Sequence, residues 1–189
     1  MMRLVCVTSL FAVAAFLGAG SPAGATPLPH PERIVALSVV DQELGEVLGE
    51  LGSQAGFRVS VSPAVHGRVH GRLPAVPAAA FLDHLAGMFG FEWYFDGETL
   101  YASAYSESAS KLLVLGTIDA GQLSRTLDQL GIADPRWPIR VAGDAGLGLA
   151  EGPPRYLALV EQTLAALPRK TVPPGTVRIF RGSAASPSL

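Results

Sequence analysis

Apolar and polar positions between Val39 and Ala104 repeat first at a helical period and then at an extended one. Leu44, Val47, Leu48 and Leu51 recur at i, i+3, i+4 and i+7, the stripe of an amphipathic helix. Ser38 or Asp41 is placed to cap that helix and Gly56 to end it. Phe57, Val59 and Val61 then alternate with Arg58, Ser60 and Ser62, which predicts a half-buried strand. Beyond Ser62-Pro63 the alternation resumes, with Val65, Gly67, Val69, Gly71 and Leu73 against His66, Arg68, His70 and Arg72. Pro77 suits the first turn of a second helix, where a missing N–H costs nothing, and Phe81, Leu85 and Met88 supply its buried face. Phe91 to Phe95 and Glu98 to Ala102 predict a hairpin closed by Asp96-Gly97 in a two-residue turn. In that register Leu100 lies opposite Trp93. Phe91, Trp93 and Phe95 form the core face, and Tyr94 and Tyr101 point the other way.

The polar run Ser103 to Ser110 interrupts this pattern and marks a boundary near Ser106 to Ser110. A second unit follows, with a strand over Lys111 to Leu115. Asp119 caps a helix that buries Leu123, Leu127 and Leu130, and Gln122 is placed as the return partner of a capping box. Strands are expected over Trp137 to Val141 and Leu147 to Ala150. A last helix opens at Pro153-Pro154 and buries Leu157, Val160, Leu164 and Leu167. Each unit thus runs strand, helix, two strands, helix, a weak internal repeat. The fold class expected is α+β: two small tandem domains, 32–105 and 111–168, each a short mixed sheet packed by two helices and each folding independently. Ahead of Ile34, Thr26 to Pro31 reads as an extended proline-rich leader, and Arg33 to Leu37 as a short strand. Behind Pro168, residues 169–189 read as a tail with one short strand at Val177 to Phe180.

Composition adds an address and removes several functions. Met1-Met2-Arg3, an apolar run from Leu4 to Leu17 and Ala23-Gly24-Ala25 have the three parts of a secretory signal, residues 1–25, cleaved after Ala25. The single cysteine, Cys6, leaves with it, so no disulfide is expected in the exported protein. A formal charge of −2 gives no basic excess for nucleic acid. His66 and His70 share a strand face but lie about 13 Å apart at roughly 3.3 Å per residue, too far for one metal ion. No cofactor site is framed: Gly-x-Gly-x-x-Gly and Gly-x-Ser-x-Gly are both absent, and Asp83-His84 are helical neighbours that do not face each other. No enzyme is expected. The candidates are contact residues: Arg68 and Arg72 on a basic strand face, Tyr94 and Tyr101 on the uncommitted face of the hairpin, and Val177 and Ile179 in the tail.

The run VSPAVHGRVHGRLPAVPAAAFLDHLAGMFGFEWYFDGETLYASAYSESASKLLVL resembles the N-terminal periplasmic region of type III secretion secretins. Its carriers are Ser62-Pro63, Gly67 and Gly71, Phe81-Leu82-Asp83, Trp93-Tyr94-Phe95-Asp96-Gly97 and Leu100-Tyr101. The resemblance continues through Asp134-Pro135-Arg136-Trp137-Pro138 and Gly152-Pro153-Pro154-Arg155-Tyr156, and spans about Ile34 to Leu167. The first half is also similar to the short domain shared by secretins and TonB-dependent receptors. The family implies an N0-like domain followed by a βαββα ring-building domain in a periplasmic, outer-membrane-associated ring of a protein export channel. A full secretin continues into a pore region. The short extent here resembles the NolW-type proteins of split rhizobial secretins, and a truncated ordinary secretin would have the same extent. The partners implied are a separate pore-forming secretin, an inner-membrane ring protein and further copies of the chain. The alternative is a soluble periplasmic binding or signalling module built on the same first domain.

Overall fold

The computed structural model describes residues 26–142 and 146–169. Ala25, with the expected cleavage, and the tail with Val177 and Ile179 lie outside them. The described chain is α+β, as the apolar periods predict. Its elements are β1 (Ile34–Val35), β2 (Ser38–Glu43), α1 (Leu44–Ala55), β3 (Arg58–Val61), β4 (Arg68–Arg72), β5 (Val76–Pro77), α2 (Ala78–Phe89), β6 (Phe91–Phe95) and β7 (Thr99–Ala104). They continue as β8 (Ala109–Val114), α3 (Ala120–Gln129), β9 (Arg140–Val141), β10 (Leu147–Gly152) and α4 (Pro154–Ala166).

In the first unit β3 pairs parallel to β7, and β7 antiparallel to β6. Two small antiparallel ribbons, β1 with β5 and β2 with β4, flank this sheet. Leu44, Val47, Leu48 and Leu51 of α1 are fully buried, as their spacing predicts. Gly56 ends α1 in the left-handed conformation. The cap differs from expectation. Ser38 to Glu43 extends as β2, and α1 begins at Leu44 after Glu43 without a side-chain cap bond. Asp41 instead sits at φ 54° in the irregular stretch of β2 between Val39 and Gln42, where its carboxylate accepts from the Arg68 guanidinium at 2.7 and 2.8 Å. The two bonds to a cation outweigh a single helix cap.

Two helical assignments also shift. Met88 is 56% exposed. The buried stripe of α2 centres on Ala78, Leu82, Leu85 and Phe89, and Met88 lies about a quarter-turn off it at 3.6 residues per turn. Phe89 fills the last-turn position by lying over Gly67, where a β-carbon would come within 2.6 Å of its ring. Leu130 is 59% exposed because α3 stops at Gln129 and the chain turns away. Asp119 caps α3 as expected, accepting from the Gln122 backbone N–H at 2.9 Å.

The hairpin register is Phe95 opposite Leu100, Tyr94 opposite Tyr101 and Trp93 opposite Ala102, not Leu100. The Asp96 carboxylate accepts from the N–H groups of Glu98 and Thr99, so the turn closes one residue later, around Gly97-Glu98. A shift of two in pairing keeps every side chain on its expected face. Phe91 and Phe95 stay in the first core, and Tyr94 faces away from it.

The second unit is a three-stranded antiparallel sheet, β8-β10-β9, with α3 and α4 on one face. β8 begins at Ala109, and only Arg140–Val141 of the expected Trp137 to Val141 strand is extended. A 3₁₀ turn over Tyr105–Glu107 joins the units, fastened by Glu107, which accepts from the Ser62 hydroxyl and the Ala104 N–H. The Thr26 to Pro31 leader is tied down too. Leu28 enters the first core, and Thr26 bonds to the Gly131 carbonyl of the second unit through N–H and hydroxyl.

Candidate interaction surfaces

Glu92, Trp93, Tyr94 and Asp96 in one strand and turn, with the segments Ile132 to Trp137 and Gly152 to Tyr156, make a seam between the units. The strand β6 presents Glu92 and Tyr94 to the second unit because alternate side chains leave opposite faces. Tyr94 has no exposure and belongs to the second core, not the first. Its hydroxyl donates to the Ile132 carbonyl at 3.2 Å, and its ring meets Tyr156 at 5.7 Å and Trp137 at 6.1 Å. Trp137 and Tyr156 close the triangle at 5.5 Å, and the Tyr156 hydroxyl donates to the Trp137 carbonyl. Burial pushes the Tyr156 phenol up to about 12 and Tyr94 higher still, so both remain neutral donors at physiological pH.

Two cations fasten the edges of this aromatic cluster. Arg155 leaves the first turn of α4 and donates to the Asp96 carboxylate at 2.7 Å, its guanidinium 5.0 Å from the Tyr101 ring centre. Burial opposes the Asp96 charge, but the Thr99 N–H, Arg155 and the Glu98 N–H together hold its pKa below the ordinary carboxylate value. Arg136 is clamped by Asp134, which is 5% exposed, and its guanidinium lies between Trp93 at 4.3 Å and Trp137 at 4.5 Å. Gly152 permits the close approach of these groups. At φ 146°, a β-carbon there would stand 3.0 Å from both the Trp137 and Tyr156 rings. Glu92, on the same face as Tyr94, has its pKa raised by burial, partly offset by Arg136 and Trp137.

Tyr94 and Tyr101 are therefore interface residues of an internal kind. Tyr94 is closed to any separate partner, and Tyr101 is half-covered by Arg155. The reason is that the second unit, and not the helices of the first, covers that face of the hairpin. The basic strand face is also less free than its sequence suggests. Arg68 is bonded to Asp41 and Glu43, and His70 Nδ1 lies 3.2 Å from Asp41. Arg72 is exposed. Among the described residues no group of three potential metal ligands gathers, and no helix is long and apolar enough to cross a membrane.

The second unit carries two further apolar surfaces. Leu112 and Val114 of β8, 66% and 65% exposed, sit beside Leu149 and Leu147 of β10 on the sheet face opposite the helices. On the helix side, at the β9 edge, a groove of ≈ 200 Å³ is lined by Leu123, Leu127, Ile139 and Val141.

The comparisons follow the same residues. No protein-family profile matches the chain. Nodulation protein NolW of Rhizobium fredii is 39% identical over 191 residues, covering 96% of this chain and 80% of NolW. The chain belongs to the NolW family. NolW of Sinorhizobium fredii matches to the same extent. This NolW-family chain also shares 39% identity over 89 residues with the type 3 secretion system secretin of Ralstonia nicotianae, covering 47% of the chain but 16% of that secretin. Among solved structures, a chain from the Salmonella SPI-1 injectisome base, described as InvG N0N1 with SpaPQR and PrgHK, matches with a TM-score of 0.64 at 23% identity. That match covers 69% of this chain and 92% of the other. A basal-body structure of InvG, PrgH and PrgK matches at 0.62. At that identity the likeness establishes the fold.

The sequence pointed to Tyr94 and Tyr101 and placed Asp96 in the hairpin turn, but it gave no contact role to Glu92, Asp96, Arg136 or Arg155. The available signal was positional. Asp96, Arg136 and Arg155 each stand in one of the short motifs that carry the secretin resemblance, and each has an aromatic residue within two positions.

Proposed function

We propose that this chain is a periplasmic, ring-forming component of a type III secretion system's outer-membrane secretin complex, docked on a separate pore-forming subunit. The observation that carries the reading is the likeness to NolW over 96% of the chain, joined by a likeness to the Ralstonia secretin over 89 residues. The fold shared with an injectisome chain supports it, and an inner-membrane ring protein is the natural neighbour of such a subunit. Ring formation draws support from the two unlike apolar surfaces of the second unit. They lie on opposite sides, so contact between copies is heterologous, and such contacts close into rings or run on as filaments. Residues 172–181 and one face of the second unit are assigned to the pore-forming chain, with Val177 and Ile179 adding to its sheet edge.

The test is co-purification from the native envelope. The mature chain, beginning near Thr26, is expected with an outer-membrane pore protein. Truncation after Lys170 is expected to leave an exported, folded protein that no longer co-purifies and no longer supports secretion. Secretion that continues unchanged without the gene, or ion conduction in lipid bilayers by the purified chain alone, would reject the docking reading.

A further inference from the structure

Glu92 is the seam carboxylate with a buried oxygen left unbonded. The carboxylates around it are matched: Asp83 accepts from the Trp93 indole N–H at 2.9 Å, Asp96 from Arg155, Asp134 from Arg136, and Glu151 from Arg140. Glu92 Oε1 is, among the described residues, the buried side-chain polar atom left without a hydrogen bond. Trp137 donates to the carboxylate and Arg136 stabilises its charge, but neither bonds to Oε1. A buried acceptor without a donor costs free energy that a matching group recovers. The seam opens beside it on both sides. One cleft of ≈ 250 Å³ is lined by Glu92, Ser108, Ser110, Trp137 and Gly152. The other, of ≈ 270 Å³, is lined by Glu92, Trp93, Tyr105, Trp137 and Arg136, whose charge is already matched by Asp134. Tyr105 stands at the second opening, 56% exposed.

We propose that this cleft receives a single arginine or lysine side chain from a partner polypeptide, its cationic head against Glu92 and its stem along Trp137 and Tyr105. A carboxylate accepts and does not donate, so the matching group is a donor, and a cationic donor forms the stronger bond. The exposed ring of Tyr105 favours a cation again, and with Trp137 it covers the methylenes behind it. The terminal torsion of a glutamate is broad, so an oxygen turns to the incoming head at little cost. A metal ion would need further ligands, and none gather there among the described residues. This inference is independent of ring formation and of the pore-forming partner: it concerns the first-to-second-unit seam, not the outer sheet face.

The chain supplies its own reporters, since its two tryptophans, Trp93 and Trp137, both line the second cleft. The probe is a blocked five-residue alanine peptide with one central arginine, titrated into the purified mature chain while the two indole N–H resonances are followed. A saturable shift of the indoles is expected, absent with norleucine in place of arginine. Binding should weaken about tenfold in Glu92→Gln, a loss equivalent to 1.4 kcal/mol. Tyr105→Ala, at an exposed position, should weaken it less. Equal binding by wild type and Glu92→Gln, or no indole shift in either, overturns the proposal. A shift that emerges only after truncation at Lys170 assigns the cleft to this chain's own basic tail and overturns the partner assignment.

Discussion

Asp96 has two jobs within a few ångströms. Its carboxylate sets the hairpin register through the N–H groups of Glu98 and Thr99, and it anchors Arg155 from the second unit. Because its folded-state pKa is depressed, this contribution is complete above the unfolded value near 3.8 and is lost as pH falls through the folded value. Glu92 has the opposite sign. Its pKa is raised, so its contribution is complete below the unfolded value near 4.5 and is lost as pH rises through the folded one. The seam is therefore expected to be firmest in mild acid. Asp96→Asn should remove part of the stability loss below about pH 4, and Glu92→Gln should flatten the decline above about pH 5. Thermal melts across pH check both; parallel profiles for wild type and Glu92→Gln would contradict the second.

At the scale of elements, β6 is the wall between two cores. Its Phe91 and Phe95 join the first core, with α2 packed on the strand and Phe57 on Phe95, and its Tyr94 is packed by α4 and the Asp134 to Trp137 turn. A strand buried on both faces loses the usual distinction between core and solvent sides. The start of α4 depends on the same packing. Pro154 at its first position needs no N–H partner, and Gly152 lets the chain enter beneath Trp137. Gly152→Ala puts a β-carbon 3.0 Å from two rings at a φ of 146° that suits glycine. A loss of about 1–3 kcal/mol is expected, read from denaturant melts, together with a shift in the indole fluorescence of Trp137. An unchanged midpoint would mean that the aromatic cluster yields without cost.

Across the whole molecule, the polar run at Ser106 to Ser110 suggests a hinge between independent domains, and the packing argues for one cooperative body instead. Tyr94 alone buries an aromatic ring of the first unit in the core of the second, and Glu107 and Thr26 brace the joint. Leu48 is fully buried in the first core, where Leu→Ala costs about 2–5 kcal/mol. With a coupled seam, Leu48→Ala lowers the stability of both units, and Tyr94→Ala, at about 3–5 kcal/mol for an aromatic truncation, separates them into two transitions. Hydrogen exchange resolved by unit makes the distinction. Confinement of the Leu48→Ala effect to residues before Ser108 would restore the independent-domain view.

The apolar periods by themselves determined the α+β class, the faces of α1 and α4, the Asp119 cap and the side of the hairpin on which each aromatic lies. These follow from local geometry: a 3.6-residue or two-residue repeat and short-range capping bonds act within a few residues. The motifs around Trp93, Trp137 and Arg155 also marked the kinship that the NolW comparison bears out. What covers the outer face of the hairpin was decided only in three dimensions. Tyr94 as a partner contact and Tyr94 as a second-core residue have the same alternation pattern, because a strand's period says which side a residue takes and nothing about what lies there. The pairings Asp96 with Arg155 and Trp93 with Arg136 join positions far apart in the chain. No local rule connects them, since their energy exists only once both units have folded against the same strand.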